Sequence, residues 1–347
     1  MKILLIPGDG VGSELAAELQ KLISAVQSLF ELKISTQTLD ISELHFRDTS
    51  ILIPKDFNKM AREADAIWLG PITNQSNLKG YIRKNIIREI CSIRGFEFYY
   101  RHFKPLPSLQ KVQTDNPIDV LLIENNFYSH TVSSELPASF INEEKIDFLT
   151  TYYSQTHLES LFSKAQEFLE RGNRNKLHLV LPDELRKSSS PWVEPASILA
   201  DRGINVQWSS LEQFYYALLR SPDQFDLVLT LPPFGRIYSK LVSSMEGGLG
   251  TGYEFHQAVG GKILLHVTHP ANHHFVGRDA GNPIGAMLSF GEFMNAYNNP
   301  LICNAIRSAV DAAINAGWVT RDLGGSMGAI EMGDYICSKL SENIAKS

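Results

Sequence analysis

The 347-residue chain has only three cysteines, Cys91, Cys303 and Cys337, far apart in sequence and odd in number. They form neither a disulfide framework nor the paired spacing of a zinc site, and they fit a reducing compartment. No apolar run approaches the length needed to cross a bilayer. The opening MKILLIPGDG breaks too early into glycine and aspartate to serve as a signal peptide. The expected location is therefore the cytoplasm. Basic residues are scattered and the formal net charge is −6, so no nucleic-acid or anionic-membrane partner is expected. Repeats and low-complexity segments are absent. The dinucleotide fingerprint G-x-G-x-x-G is also missing, because Gly8, Gly10 and Gly12 alternate instead.

What is present is a chain that can bury a large core, with 44% hydrophobic residues, enough for two domains. Short apolar runs predict strands at Lys2 to Ile6, Asp65 to Leu69, Ile118 to Glu124, Asp147 to Tyr153, Lys176 to Leu181, Ile204 to Trp208, Asp226 to Thr230 and Lys262 to Val267. Helical periodicity follows Ser13, read as a cap, with Leu15, Leu19, Leu22, Val26 and Leu29 on one face. It recurs over Thr156 to Arg171, Trp192 to Ala200, Leu211 to Leu219 and Pro300 to Gly317. One loop stands out. From His269 to Asn282 it runs HPANHHFVGRDAGN, and Pro283 opens a helix after it. A loop of that length in a compact domain usually has a task.

These segments resemble the β-decarboxylating dehydrogenases, the isocitrate and isopropylmalate dehydrogenase family. The long loop is similar to that family's H-G-[ST]-A-P-x-x-A-G-x-x-x-x-N-P, with His269, Gly277, Asn282 and Pro283 in register. Pro7 to Glu14 resembles its opening, L-P-G-D-G-I-G-P-E. Gly70-Pro71 and the Arg83–Arg94 segment follow in the family's order, with Asn77 and Lys79 where the family has Ser and Asn. Glu124-Asn125 resembles part of its R-E-N-T-E-G motif. Phe234, Gly235, Ile237 and Ser239 match N-x-F-G-D-I-x-S-D, and Thr320 to Gly325 matches T-x-D-L-G-G. The resemblance covers nearly the whole chain. It implies an α/β fold of two domains sharing a large mixed sheet, not a Rossmann fold. Residues 1–98 with 246–347 would form the coenzyme-type domain, and 99–245 the central domain with a dimer arm and dimerisation helices.

The resemblance also assigns roles. Arg83 and Arg94 would grip substrate carboxylates, as a guanidinium fork suits. Gly70, Pro71, His269, His274, Asn282 and Asp322 would hold NAD or NADP. Glu212 would keep a carboxylate where the family has a metal-binding aspartate. The remaining catalytic positions are changed. Pro182 stands at the family's lysine, and Arg236 and Lys240 stand at the two aspartates that hold Mg²⁺ or Mn²⁺. Basic groups cannot ligate a hard cation that needs several oxygens, so no metal is expected. Counting Pro182, Glu212, Arg236 and Lys240, the cluster carries a formal charge of about +1, where the family's cluster with its metal is neutral.

The expected function is a catalytically degenerate family member that binds a small carboxylate and NAD(P), as a homodimer or as a hetero-oligomer with an active paralogue. A second reading is an active NAD(P)-dependent 2-hydroxy-acid oxidative decarboxylase with relocated catalysts, drawn from Tyr128, His130 and Asp183. A third is an interaction protein that keeps only the fold. His266, His269, His273 and His274 can also be read as a transition-metal cluster, though no helical spacing or cysteine partner supports it.

Overall fold

A computed structural model describes the chain except residues 74–75, 82, 127–129, 133–138, 142–143, 147–148, 152–153, 173, 187–189 and 346–347; for 83–85, 130–132, 139–141, 144–146, 149–151, 186 and 345 it describes the backbone alone. The first half of the chain forms β1 (Lys2–Ile6), α1 (Gly12–Phe30), β2 (Ser35–Thr38), α2 (Glu43–Thr49), α3 (Phe57–Glu63), β3 (Ala66–Leu69), α4 (Arg83–Arg94), β4 (Phe96–Phe103), β5 (Val120–Asn125), β6 (His130–Val132), β7 (Ser139–Ile141), β8 (Glu144–Ile146), β9 (Leu149–Thr151) and α5 (Gln155–Arg171). Then come β10 (Lys176–Val180), α6 (Val193–Asp201), β11 (Asn205–Ser209), α7 (Leu211–Arg220), β12 (Leu227–Thr230), α8 (Phe234–Met245), β13 (Tyr253–Ala258), β14 (Ile263–Val267), α9 (Ile284–Ala296), α10 (Pro300–Asn315) and α11 (Ala329–Ala345). No described helix is long and apolar enough to cross a membrane.

Ten strands share one sheet in the order β11-β10-β12-β5-β4-β13-β14-β3-β1-β2. The two wings are parallel, and β5, β4, β13 and β14 join them through three antiparallel pairings. The sheet is mixed, as expected. Strand alternation divides the core by face. On one face, Ile3 and Leu5 pack under α1, α9, α10 and α11, and Leu121 and Ile123 pack under α5 and α6. Phe255 touches both clusters, so these six helices lie on the same side, called here the back. On the front, Leu4 and Ile6 pack against α3 and α4, while Val120 and Leu122 pack against α7 and α8.

The alternating-glycine turn is held by close approach. Gly8 and Gly10 have φ of 74° and 59°. A Cβ on Gly10 would lie 1.7 Å from the Ala271 carbonyl oxygen. Between them, buried Asp9 accepts from the Glu43 and Thr73 amides at 2.6 and 2.7 Å and from the Tyr81 hydroxyl. This ties the starts of α1 and α2 to the exit of β3. The structure corrects the reading of Ser13 as a cap. Helix α1 starts at Gly12, and its cap position, Val11, gives no side-chain bond. The Val11 amide is already committed to the Ala271 carbonyl at 2.8 Å. Ser154 does cap α5, accepting from the His157 amide at 3.2 Å.

Two substitutions separate close approach from backbone strain. Gly203 also has positive φ, but a Cβ there meets nothing within 4 Å. Gly203→Ala is expected to cost about 1–2 kcal/mol for the left-handed backbone alone. Gly10→Ala is expected to cost at least about 2 kcal/mol more, through the clash. Urea unfolding at constant m checks this. Equal costs would show that the Ala271 contact is not a constraint.

Candidate functional site

Register and alternation build the site at the front centre of the sheet. Tyr99 pairs with Glu124 across β4 and β5, and with His256 across β4 and β13. These three side chains therefore form a row on the face covered by α8. Glu254 lies two residues before His256 and points the same way. The first turns of α8 add Arg236 and Lys240, four residues apart on one helix face. Gly235 lets the helix start sit directly on Glu124. Its amide donates to Oε2 at 2.9 Å, and a Cβ there would come within 2.5 Å of the same oxygen.

The charged groups pair with one another. Glu254 Oε1 accepts from Ser239 Oγ at 2.9 Å and from Lys240 Nζ at 3.2 Å. Its Oε2 lies 3.6 Å from Arg236 Nη1, and Glu124 Oε1 lies 3.8 Å from Arg236 Nε. The Arg236 guanidinium also stacks over the Tyr99 ring at 4.5 Å and donates to Asn126 Oδ1 at 3.4 Å. Asn126 Nδ2 approaches His256 Nδ1 at 2.6 Å, with Cys91 Sγ 3.8 Å from the same nitrogen.

Burial sets the protonation states. Desolvation pushes Glu124 up to about 7, against the pull of Arg236 and the Gly235 amide. Desolvation, helped by Arg236, holds His256 down to about 3, so the imidazole is neutral and Nδ1 accepts from Asn126. Cys91 is pushed up to about 12 by burial and stays a thiol.

This arrangement corrects the charge count made from sequence. Two buried carboxylates, Glu124 and Glu254, lie under the two cations, whereas Glu212 is exposed on α7. The count of about +1 becomes balanced when both are ionised. Glu254 and His256 escaped sequence reading because no motif carries them. The available signal was the alternation Tyr253-Glu254-Phe255-His256, which puts polar groups on one face of a central strand.

A second cluster holds the long loop. Glu14 accepts from the amides of Gly277, Ala280 and Gly281 at 2.9 to 3.3 Å. His269 Nε2 accepts from the Asn282 amide at 3.1 Å, and its Nδ1 faces the Pro270 oxygen at 2.7 Å, so the proton is on Nδ1. Asn282 Nδ2 donates to Asp322 Oδ2 at 2.9 Å. Burial lowers the His269 pKa. Gly70 and Pro71 close the exit of β3 against the glycine turn, where the Asp9 amide donates to the Pro71 oxygen at 2.6 Å. His274 is exposed on a short 3-10 turn, His273–Phe275. The four histidines do not converge. His266 faces the Leu69 oxygen, His269 the loop, and His273 lies 3.6 Å from Glu43.

The remaining sequence candidates are dispersed. Arg83 begins α4 and Arg94 ends it. Arg94 is half-buried, and burial, then the nearby Arg62, lower its pKa; Arg94 in turn helps lower that of Lys262. Lys262 precedes β14 and binds the Arg62 and Ala64 carbonyls. Asp183 is exposed in the 3-10 turn Asp183–Arg186. Tyr128 lies outside the described residues, and for His130 only the backbone in β6 is described.

Solved structures share this architecture. An isocitrate dehydrogenase from Methylococcus capsulatus superposes with a TM-score of 0.80 at 20% identity, over 98% of this chain and 99% of that one. A beta-decarboxylating dehydrogenase from Thermococcus kodakarensis gives 0.81 at 19% identity, over 99% and 97%. The fold is thus the two-winged α/β fold of isocitrate dehydrogenase-type structures. In sequence, the 3-isopropylmalate dehydrogenases of Methylococcus capsulatus and Thermotoga maritima are 24% and 26% identical, with coverage of 98% and 99% of this chain and 99% of each relative. The family model for isocitrate/isopropylmalate dehydrogenase matches residues 2–336, and the chain belongs to that family.

The raised Glu124 value has a measurable consequence. The folded chain holds this proton more tightly than the unfolded chain, whose ordinary glutamate value is 4.5. The resulting stability is complete below that value and is lost as pH rises through about 7. Relative to Glu124→Gln, which does not titrate, the native chain should lose up to about 3 kcal/mol over that interval. Urea unfolding of both proteins at acid and mildly alkaline pH tests this. A difference that does not change with pH would contradict it.

Proposed function

We propose that this chain is a catalytically degenerate member of its family that binds a small carboxylate at Arg236 and Lys240 without a divalent metal. The observation that carries this is the ion network itself. At the two positions where the family carries metal-binding aspartates, this chain places donors that cannot ligate a cation, and the nearby carboxylates are engaged with them. Among the described residues no group of three or more His, Cys, Asp or Glu side chains is arranged to hold a metal ion. The donor set does not fit Mg²⁺ or Mn²⁺.

Exposure supports the anion reading. The Arg236 and Lys240 side chains are 21% and 42% exposed, while Glu124 and Glu254 beneath them are 0% and 2% exposed. The open side of the network is therefore cationic. A carboxylate approaching from solvent meets a guanidinium and an ammonium held in place from below. Near neutral pH Glu124 is partly protonated, which lowers the negative charge beneath Arg236. Of the buried groups here, His256 and Cys91 stay neutral at neutral pH, while Glu124, near 7, exchanges its proton in that range.

The ordered long loop supports a nucleotide as a second ligand. Gly250 packs directly against Asn282 and Asp322, where a Cβ would come within 2.5 Å of Asp322 Oδ2, and so holds this pair in place. Those residues with His269 would hold an NAD(P)-type adenosine. Tyr216 and Leu219 on α7 and Ile237 on α8 expose apolar side chains and support assembly through these helices, as a homodimer or with an active paralogue. A cytoplasmic location fits the three free cysteines.

Thermal unfolding with a panel of 2-hydroxy and dicarboxylic acids, each with and without Mn²⁺ and NAD(P), tests the reading. An acid at about a hundred times its Kd should add about 2.7 kcal/mol, a rise of a few degrees in Tm, without Mn²⁺. The Arg236→Ala/Lys240→Ala double variant should lose that shift. Stabilisation that requires Mn²⁺ and coenzyme together, or measurable turnover, would overturn the reading in favour of an active decarboxylating dehydrogenase.

A further inference from the structure

On the back of the sheet, behind the ion network, lies a cavity of about 580 Å³ between the two wings. That size suits a small organic ligand, and such sites favour junctions of this kind. Its floor comes from the strands that carry the front site. On β13, Glu254 and His256 face the front, while Phe255 and Gln257 line the cavity. Tyr100 and Phe255 face each other across β4 and β13 with ring centroids 5.7 Å apart, and Phe168 of α5 lies 5.2 Å from Tyr100. These three rings form an aromatic pocket. The opposite wall is Glu292, Asn295 and Ala296 of α9.

The polar groups are unevenly matched. Lys164 and Arg171 both lie on the α5 wall, and both pair with the same carboxylate, Glu167, at 2.7 and 3.0 Å. Among the described residues neither has another acidic partner. Gln257 accepts from the Tyr100 hydroxyl at 3.2 Å, and its amide NH₂ has no described partner. The cavity thus offers an aromatic slot, a side-chain amide donor and two cations sharing one anion. A ligand with a flat apolar ring and one carboxylate supplies what each lacks: area against the rings, an acceptor for Gln257, and a second anion for the α5 pair.

We propose that this back cavity is a second ligand site, separate from Arg236 and Lys240, and that it takes an aromatic carboxylate. Its walls belong to helices of different wings, so a bound ligand bridges α5 and α9. The test uses anilinonaphthalene sulfonate as a fluorescent aromatic anion on the full chain, with naphthoate and its neutral amide as competitors. Saturable binding at one site is expected, with displacement by naphthoate at least about tenfold better than by naphthamide. Ala296→Trp, which fills the cavity from an exposed helix position, should abolish binding. Arg171→Glu, whose side chain is 74% exposed and whose loss leaves the fold intact, should weaken it about tenfold. The Arg236→Ala/Lys240→Ala variant should bind the dye as the native chain does, so this proposal can fail or stand apart from the carboxylate reading. Absence of binding, equal competition by the amide, indifference to Ala296→Trp or Arg171→Glu, or loss in the Arg236/Lys240 variant would each overturn it.

Discussion

The centre of this molecule depends on matching two buried carboxylates with two cations across the seam of the sheet. Glu124 on β5 and Glu254 on β13 lie on opposite sides of β4, and α8 spans them with Arg236 and Lys240. Leaving either carboxylate buried without its cation would cost about 3–5 kcal/mol, so the four groups constrain one another. The fit at Gly235, the stacking on Tyr99 and the Asn126–His256 contact all follow from where the guanidinium must sit.

Alternation along the middle strands then distributes function between faces. One strand, β13, presents Glu254 and His256 to the front and Phe255 and Gln257 to the back. The same rule sorts Leu121 and Ile123 from Val120 and Leu122 on β5. Because the three central pairings are antiparallel, neighbouring side chains on a face stand directly opposite each other, and short rows such as Glu124–Tyr99–His256 form. The long loop is anchored separately, through Glu14 and the His269–Asn282–Asp322 chain, and is joined to the charge network through the shared sheet.

Much of the fold was legible in the sequence, because strand and helix periodicities are local properties. The runs at Lys2–Ile6, Lys176–Val180 and Ile263–Val267, and the helices α5, α7 and α10, follow from apolar spacing and punctuation alone. Errors arose where a backbone group had a distant partner. Ser13 had the chemistry of a cap, but the carbonyl of Ala271 took the adjacent amide and helix α1 began without one.

By itself the sequence determined the family and much of the order of elements, though not the central strands β4 and β13, and it placed Arg236 and Lys240 where the family's pattern has aspartates. Those are properties of residue type and spacing. Only the tertiary structure decided what the replacements do. Glu124, Glu254 and Arg236 are separated by more than a hundred residues at one junction and by fewer than twenty at the other. Only sheet pairing brings them together. A charge's effect depends on its distance to the next charge and on the water around both, and neither can be read along a chain.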